Sequence, residues 1–163
     1  MRHSVTFEQF EAILKRMPNA LESAVIRGLR SAAARGKGEV VREISRAKPY
    51  PAVDSSGLRQ SVTLQNIPKG SELFVDSPHA PHLEHGTRPF WPPAAPLILW
   101  LVRKGIAEDE DEAEDLVYAF QATIATYGIE PRFFFQKAMT TVGKRYVPQE
   151  IRAELKALES RGL

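Results

Sequence analysis

Three of the four histidines in the chain, His79, His82 and His85, stand three residues apart, and Glu84 lies between the last two. Imidazole and carboxylate groups at short spacing are ligands that zinc accepts. On a helix these three histidines would not converge as an i, i+4 pair does, and Pro81 argues against a regular helix across them. A structural turn with exposed histidines is therefore favoured, and metal binding is the weaker alternative.

The other patterns typical of catalytic sites are missing from the sequence. The chain has no cysteine, which excludes a thiolate zinc site and a cysteine nucleophile. The stretch ARGKGE lacks the spacing of a phosphate-binding loop, and no nucleophile-elbow pattern surrounds Ser55 and Ser56. The sequence predicts that the protein is not an enzyme and that it has no cofactor and no metal.

Charge is segregated along the chain although the net charge is only +2. Residues 1–48 carry ten Lys or Arg against five Asp or Glu, whereas Glu108 to Asp115 holds seven acids in eight positions. Such segregation can serve either the binding of nucleic acid or docking between copies of one protein, and the sequence alone does not choose between them. For docking, we expect an interface that joins acidic and basic residues. Its members are Glu108, Asp109, Glu110, Asp111 and Glu112 on one side and Arg30, Arg35 and Arg42 on the other. Phosphate binding by the basic segment is the alternative, although no base-reading motif accompanies it.

Length and composition indicate one globular domain. The 163 residues are 43% hydrophobic and 26% charged, which are ordinary values. No apolar run approaches the ~18 residues of a membrane span, and the first residues lack the features of a signal peptide. We expect a protein that is made in the cytoplasm and has no membrane partner.

The pattern of apolar residues predicts two N-terminal helices. A capping box at Thr6 favours a helix from about residue 7 to 16, and Pro18 is expected to break it. Asn19 repeats the cap signature before a long segment that runs to about residue 47. Gly36 and Gly38 predict a bend or a break within that segment.

The middle and the end of the chain predict a small sheet and further helices. Segments 61–66 and 71–77 read as an antiparallel hairpin, followed by helices at about 97–105, 109–127 and 132–146. Pro148 should interrupt the last of these. The predicted class is α+β, with several helices packed on a small antiparallel sheet. Residues 1–147 form the single domain, and residues 148–163 form a polar helical tail.

Three separated segments resemble one known family, the minor tail or tail-completion (neck) proteins of long-tailed bacteriophages, of the lambda minor tail protein Z type. The segments are DSSGLRQSV, HLEHGTRPFWPP and IEPRFFFQKAM, and their order and separation also agree with the family. One departure is Phe133, where the family often has a proline. The matching residues are Asp54, Gly57, Leu58, Ser61, Glu84, Gly86, Thr87, Arg88, Pro131, Arg132 and Phe134.

The resemblance implies a structural virion protein at the head–tail joint. Such a protein would form a symmetric ring of six copies, with twelve as the alternative, between the portal connector and the tail terminator or tube proteins. Genome DNA would pass through the lumen without sequence recognition. The resemblance also implies that Glu84, Gly86 and Thr87 form a turn, in which Gly86 takes a positive φ and the two polar side chains bind loop N–H groups or Arg88. A nucleic-acid-binding domain is the second possibility, and a metal-dependent hydrolase is the third.

Overall fold

The computed structural model describes residues 7–46 and 57–160, with side chains from residue 18 onward. The α+β prediction is confirmed, because the described residues form seven α-helices, one π-helical turn and a two-stranded antiparallel sheet. The N-terminal half contains α1 (Phe7–Arg46), α2 (Gly57–Gln60), β1 (Val62–Ile67), β2 (Gly70–Val75) and α3 (Ala80–His85). The remainder contains α4 (Ala94–Arg103), α5 (Glu110–Tyr127), α6 (Phe134–Thr141), the π-helical turn (Val142–Tyr146) and α7 (Val147–Ser160).

Helix α1 is continuous over 40 residues, so the predicted break at Pro18 and the cap at Asn19 are wrong. A proline inside a helix removes one hydrogen bond and tends to kink the helix, but it does not always end it. The helix also passes through Gly36 and Gly38 without interruption. Gly36 is buried, and a Cβ there would lie 2.9 Å from Cγ2 of Val142. This glycine therefore serves close packing and does not end the helix.

The predicted hairpin is confirmed, with Pro68 and Lys69 in the turn between β1 and β2. Arg30 of α1 holds this turn through two main-chain carbonyls. Its Nη2 donates to the carbonyl oxygen of Ile67 at 3.1 Å, and its Nε donates to that of Gly70 at 3.3 Å. A lone two-stranded sheet is marginally stable in water, so such contacts with a helix are needed.

Helices α4 and α5 pack on one another around a small apolar cluster. Its buried members are Leu101, Ala107, Ala113 and Val117. Helix α4 begins at Ala94, three residues earlier than predicted, because a proline is tolerated anywhere in the first turn, where N–H groups have no helical partner. At the start of α5, the Asp109 side chain accepts the Glu112 N–H at 2.9 Å, as an N-cap does.

The chain from Phe134 to Ser160 is helical throughout, so the predicted interruption at Pro148 is wrong. Pro148 is the second residue of α7. The change of register comes instead from the π-helical turn, a wider turn inserted between two α-helices. Residues 161–163 of the predicted tail lie outside the described residues.

The described residues fall into two compact units, and neither is a continuous stretch of sequence. The first contains residues 18–39, 64–73 and 139–160 within the part of the chain whose side chains are described, and the second contains residues 40–46, 57–63 and 74–138. Helix α1 and the hairpin contribute residues to both, so no single cut of the chain separates the two units. Among the described helices, none is both long and apolar enough to span a membrane.

In the first unit, α7 packs on α1 at positions where α1 carries small residues. A Cβ on Gly28 would lie 2.9 Å from the Cα of Ile151, so only glycine permits this approach. Ala32 is buried against Val142 and Tyr146 of the π-helical turn. The C-terminal segment is therefore part of a packed core.

Polar bonds flank this core. The Tyr146 hydroxyl donates to the buried Glu39 carboxylate at 2.8 Å. Ser31 and Arg35 donate to Glu150 at 2.7 and 2.5 Å. The Ser31 hydrogen bond, followed by that of Arg35, holds the pKa of the Glu150 carboxyl below its ordinary value.

Two glycines of α1 provide a matched test of this packing. We expect Gly28→Ala to destabilise the protein by roughly 1–3 kcal/mol, because the backbone of Ile151 must move. Gly38→Ala should stabilise it by up to about 1 kcal/mol, since a Cβ there meets nothing within 4 Å and alanine favours a helix. Urea unfolding of both variants measures the difference, and equal midpoints would contradict the described contact between α1 and α7.

Candidate functional site

The segments that contain Glu84 and Pro131 meet in the second unit and bind each other. Residues 83–88 comprise the last residues of α3 and the three that follow it, and residues 128–136 run from the end of α5 into the first turn of α6. We call these two segments together the clasp. Backbone and side-chain hydrogen bonds link them at several points, described in turn below. Two of the three segments that resemble the tail-completion family are thus brought into direct contact.

Helix α3 corrects the expectation of a loop around the histidines. His79 stands at its N-cap position and Pro81 lies in its first turn, where a missing N–H costs nothing. His79, His82 and His85 are all exposed. Within the described residues, no group of three or more His, Asp or Glu side chains is placed to hold a metal ion.

The buried carboxylate of Glu84 caps the start of α6. Its Oε2 accepts the N–H of Phe135 at 2.8 Å, and its Oε1 accepts that of Gln136 at 2.9 Å. These N–H groups belong to the first turn of α6, where no helical carbonyl can accept them. The negative charge also lies at the positive end of the helix dipole. Glu84 is only 8% exposed, so this double cap replaces the water that burial removes.

The cap is reciprocal, because the last turn of α3 is satisfied by the segment before α6. The N–H of Arg132 donates to the carbonyl of Leu83 at 2.9 Å, and that of Phe133 donates to the carbonyl of Glu84 at 3.2 Å. Phe133 has a φ of +52°, a value that the ring of a proline excludes. The chain departs from the family at this residue, and its backbone here could not accept the family's proline.

Thr87 joins the clasp through both its backbone and its side chain. Its N–H donates to the carbonyl of Ile129 at 3.0 Å, and its hydroxyl accepts the Ile129 N–H at 2.9 Å. Glu84 and Thr87 are expected to bind either loop N–H groups or Arg88. In the structure, both side chains accept main-chain N–H groups.

Two glycines allow the two segments of the clasp to approach so closely. Gly86 has a φ of +74°, as expected, and a Cβ there would lie 2.5 Å from the carbonyl oxygen of Ile129. Gly128 has a φ of +75°, and its Cβ would overlap the carbonyl oxygen of Thr87. Any side chain at either position would push the two segments of the clasp apart. The sequence predicts only that a helix ends at about residue 127, because the close approach of Gly128 depends on a segment about 40 residues earlier in the chain.

The other residues of the resembling segments have varied places. Phe134 is 1% exposed and anchors α6, whereas Pro131 and Arg88 are exposed and Arg132 is partly buried. In the first segment, Leu58 is buried and the Ser61 hydroxyl donates to its carbonyl at 2.9 Å. Gly57 begins α2, and Asp54 lies outside the described residues.

The acidic run of the predicted interface is partly used to cap its own helix. Asp109 is the N-cap of α5, and the Glu112 carboxylate accepts the N–H of Glu108 at 2.6 Å. Glu108, Glu110 and Asp111 are exposed. Helix capping therefore explains part of the acidic composition, and the remaining carboxylates face solvent.

The basic residues of the predicted interface have partners in their own chain. Arg35 binds Glu150 and lies 4.2 Å from the ring centre of Tyr146, and Arg30 holds the hairpin turn. Arg42 is exposed and also makes a polar, ionic or ring contact within the chain. The acidic partners on α7 were missed by sequence analysis. The sequence spacing carries no signal for these pairs, because Glu150 and Glu154 are four residues apart on α7 whereas Arg35 and Arg27 are eight apart on α1.

Comparison with protein-family models, with curated proteins and with solved structures gives no match. The arrangement of residues in the clasp therefore has to be interpreted from its own geometry.

Replacement of Glu84 should destabilise the clasp. In Glu84→Gln the amide has one acceptor oxygen for two N–H groups, and its NH₂ faces a donor, so we expect a loss of about 1–3 kcal/mol. His85→Gln is the control, because His85 is the next residue and is exposed. Thermal unfolding compares the two. If Glu84→Gln has the same melting temperature as the wild type, the double cap contributes nothing measurable to the stability of the protein.

The exposed histidines should bind no structural transition metal. We expect elemental analysis of the purified protein to find no stoichiometric zinc, and a chelator to leave the melting temperature unchanged. About one zinc per chain, together with a lower melting temperature in the chelator, would show instead that the histidines form a metal site.

Proposed function

We propose that this protein is a structural, non-enzymatic component of a tailed bacteriophage, located at the head–tail joint. In this proposal it acts in neck assembly or tail completion and forms a ring between the portal connector and the tail terminator or tube. It is made in the host cytoplasm and then becomes part of the virion. Genome DNA passes through the lumen of the ring without being read.

The observation that carries the proposal is the clasp. The segments EHGTR and IEPRFF resemble two separate motifs of the tail-completion family, and in this chain they form a single hydrogen-bonded unit. Independent chance matches would have no reason to meet in space. The contact between the two segments therefore supports a resemblance that covers one folded unit and not only two short stretches of sequence.

The chemistry of the same residues favours a structural role. Glu84, Thr87 and Gly86 are committed to main-chain contacts, which leaves none of them exposed to act on a substrate. The histidines beside them are exposed and do not converge. A protein that uses its motif residues to fix a turn is suited to presenting surfaces to other proteins.

The distribution of charge supports assembly more than binding of nucleic acid. Arg27 and Arg35 on α1 are paired with Glu154 and Glu150, at 2.7 and 2.5 Å. Carboxylates beside these arginines reduce the attraction of this helix face for phosphate groups. A ring requires a heterologous interface that closes on rotation, and surfaces of opposite charge fix the register of such an interface.

Particle assembly tests the proposal directly. In the phage that encodes this chain, the gene is inactivated and supplied in trans as wild type, Glu84→Gln or His85→Gln. Without the gene, we expect filled heads and finished tails that do not join, and wild type and His85→Gln should restore joining. Glu84→Gln should restore less, in proportion to its loss of folded protein.

Reconstruction of the neck provides the second measurement. The chain should occupy a ring with sixfold symmetry, or twelvefold if it follows the portal. Its absence from purified particles would overturn the proposal. A steep loss of binding to unrelated DNA as salt rises, with no effect on joining, would favour the nucleic-acid-binding alternative.

A further inference from the structure

Two exposed aromatic rings lie together on the second unit. Trp91 is 54% exposed and Tyr118 is 68% exposed, and their ring centres lie 5.7 Å apart in an edge-to-face arrangement. The segment around Trp91 is fixed along α5, because the Gln121 side chain donates to the carbonyl of Pro92 at 2.8 Å. Large aromatic side chains that are clustered, exposed and held in place are typical of protein interfaces.

Carboxylates continue this surface along α5. Asp111, Glu114, Asp115 and Tyr118 follow the spacing i, i+3, i+4 and i+7, which places them on one face of the helix. All four are exposed, and the three carboxylates make no ion pair with any other described residue. The aromatic–acidic face is defined by these four residues and Trp91. It offers aromatic rings and unpaired negative charge to one partner, which is the chemistry that arginine and lysine side chains bind.

A complementary surface exists on the first unit of the same chain. Arg152 and Lys156 are exposed and lie one turn apart on α7, and Lys144 and Arg145 are exposed in the π-helical turn before it. We call these four residues the basic face. None of them forms an ion pair within the described part of the chain, in contrast to Arg27 and Arg35. Glu150 and Glu154, which bind α1, point to the opposite side of α7, since residues two apart on a helix differ by about 200°.

The charge of each unit reinforces this complementarity. Among residues whose side chains are described, the first unit has nine Lys or Arg and six Asp or Glu, whereas the second has eight and eleven. Each copy therefore carries both an acidic and a basic surface with which to bind another copy.

We propose that the aromatic–acidic face of one copy binds the basic face of a second copy. Arginine or lysine side chains of α7 would lie over Trp91 and Tyr118 and pair with Asp115 and its neighbours. The contact is heterologous, so each bound copy leaves one face of each kind free, and repetition produces a ring or a filament. This proposal rests on the proposed ring function and moves the basic side of the interface from α1 to α7, because Arg30 and Arg35 are used within their own chain.

Two variants, each lacking one face, test the contact. Trp91→Ala with Asp115→Lys removes the aromatic–acidic face, and Arg152→Glu with Lys156→Glu removes the basic face. All four positions are exposed, so folding should be retained, and circular dichroism and thermal unfolding check this. Sedimentation velocity is measured at low ionic strength and at the highest soluble concentration.

We expect the wild type to form species larger than a dimer and each variant alone to be monomeric. An equimolar mixture of the two variants should form a one-to-one dimer and nothing larger, because only one intact contact is available between them. Lys37→Glu with Arg59→Glu is the matched control, since it reverses two exposed cations outside both faces. This control should associate as the wild type does, within about twofold in apparent dissociation constant.

Several results would overturn the proposal. These are a wild type that stays monomeric, a mixture that stays monomeric, or a control that loses association, which would place the contact at Lys37 of α1 or Arg59 of α2. Loss of duplex DNA binding in the Arg152→Glu, Lys156→Glu variant, without self-association of the wild type, would make the basic face a phosphate-binding surface instead. A neck ring built through other surfaces would overturn this contact alone. Absence of the chain from particles would overturn the proposed function and leave the dimer result standing.

Discussion

The buried carboxylate of Glu84 is the interaction on which the second unit depends. It satisfies two N–H groups at the start of α6, and the carbonyls of α3 satisfy the N–H groups just before them. Each helix end therefore completes the other, and neither could be buried alone without leaving polar groups unpaired. The glycines at 86 and 128 bring the two backbones close enough for these bonds, and the Thr87 hydroxyl adds one more. This clasp gives a physical reason for glutamate, glycine and threonine at those positions.

A different constraint organises the first unit, where small residues of α1 receive α7 and the π-helical turn. Gly28 and Gly36 allow close approach, and Ala32 is buried between them. Val142 and Tyr146, four residues apart in the π-helical turn, both pack on Ala32. Close packing at the centre is flanked by the bonds of Arg27, Ser31 and Arg35 to glutamates of α7. Part of the basic character of α1 is thereby explained within the chain, and Arg152 and Lys156 of α7 are left exposed.

The charges that remain exposed connect these structural features to the proposed assembly. A structural component of a ring needs two unlike surfaces that recognise each other, and it needs a framework that holds them in place. In this protein, capping and packing use part of the acidic and basic residues. Others include the carboxylates beside the exposed aromatic rings and the exposed cations of α7 and the π-helical turn. This division between residues that fold the chain and residues that can join copies supports an assembly role more strongly than the net charge does.

The sequence alone determined the class of the fold, the hairpin and the helix that begins with the acidic run. These features depend on local patterns, namely alternation in strands and helical periodicity. The tertiary structure decided what no local pattern contains. Pro18 does not end α1, α7 packs on α1, and Glu84 caps a helix that begins 50 residues later. In each case the outcome depends on a partner that is distant in the sequence, and a hydrogen bond or a close contact exists only once folding has brought that partner into place.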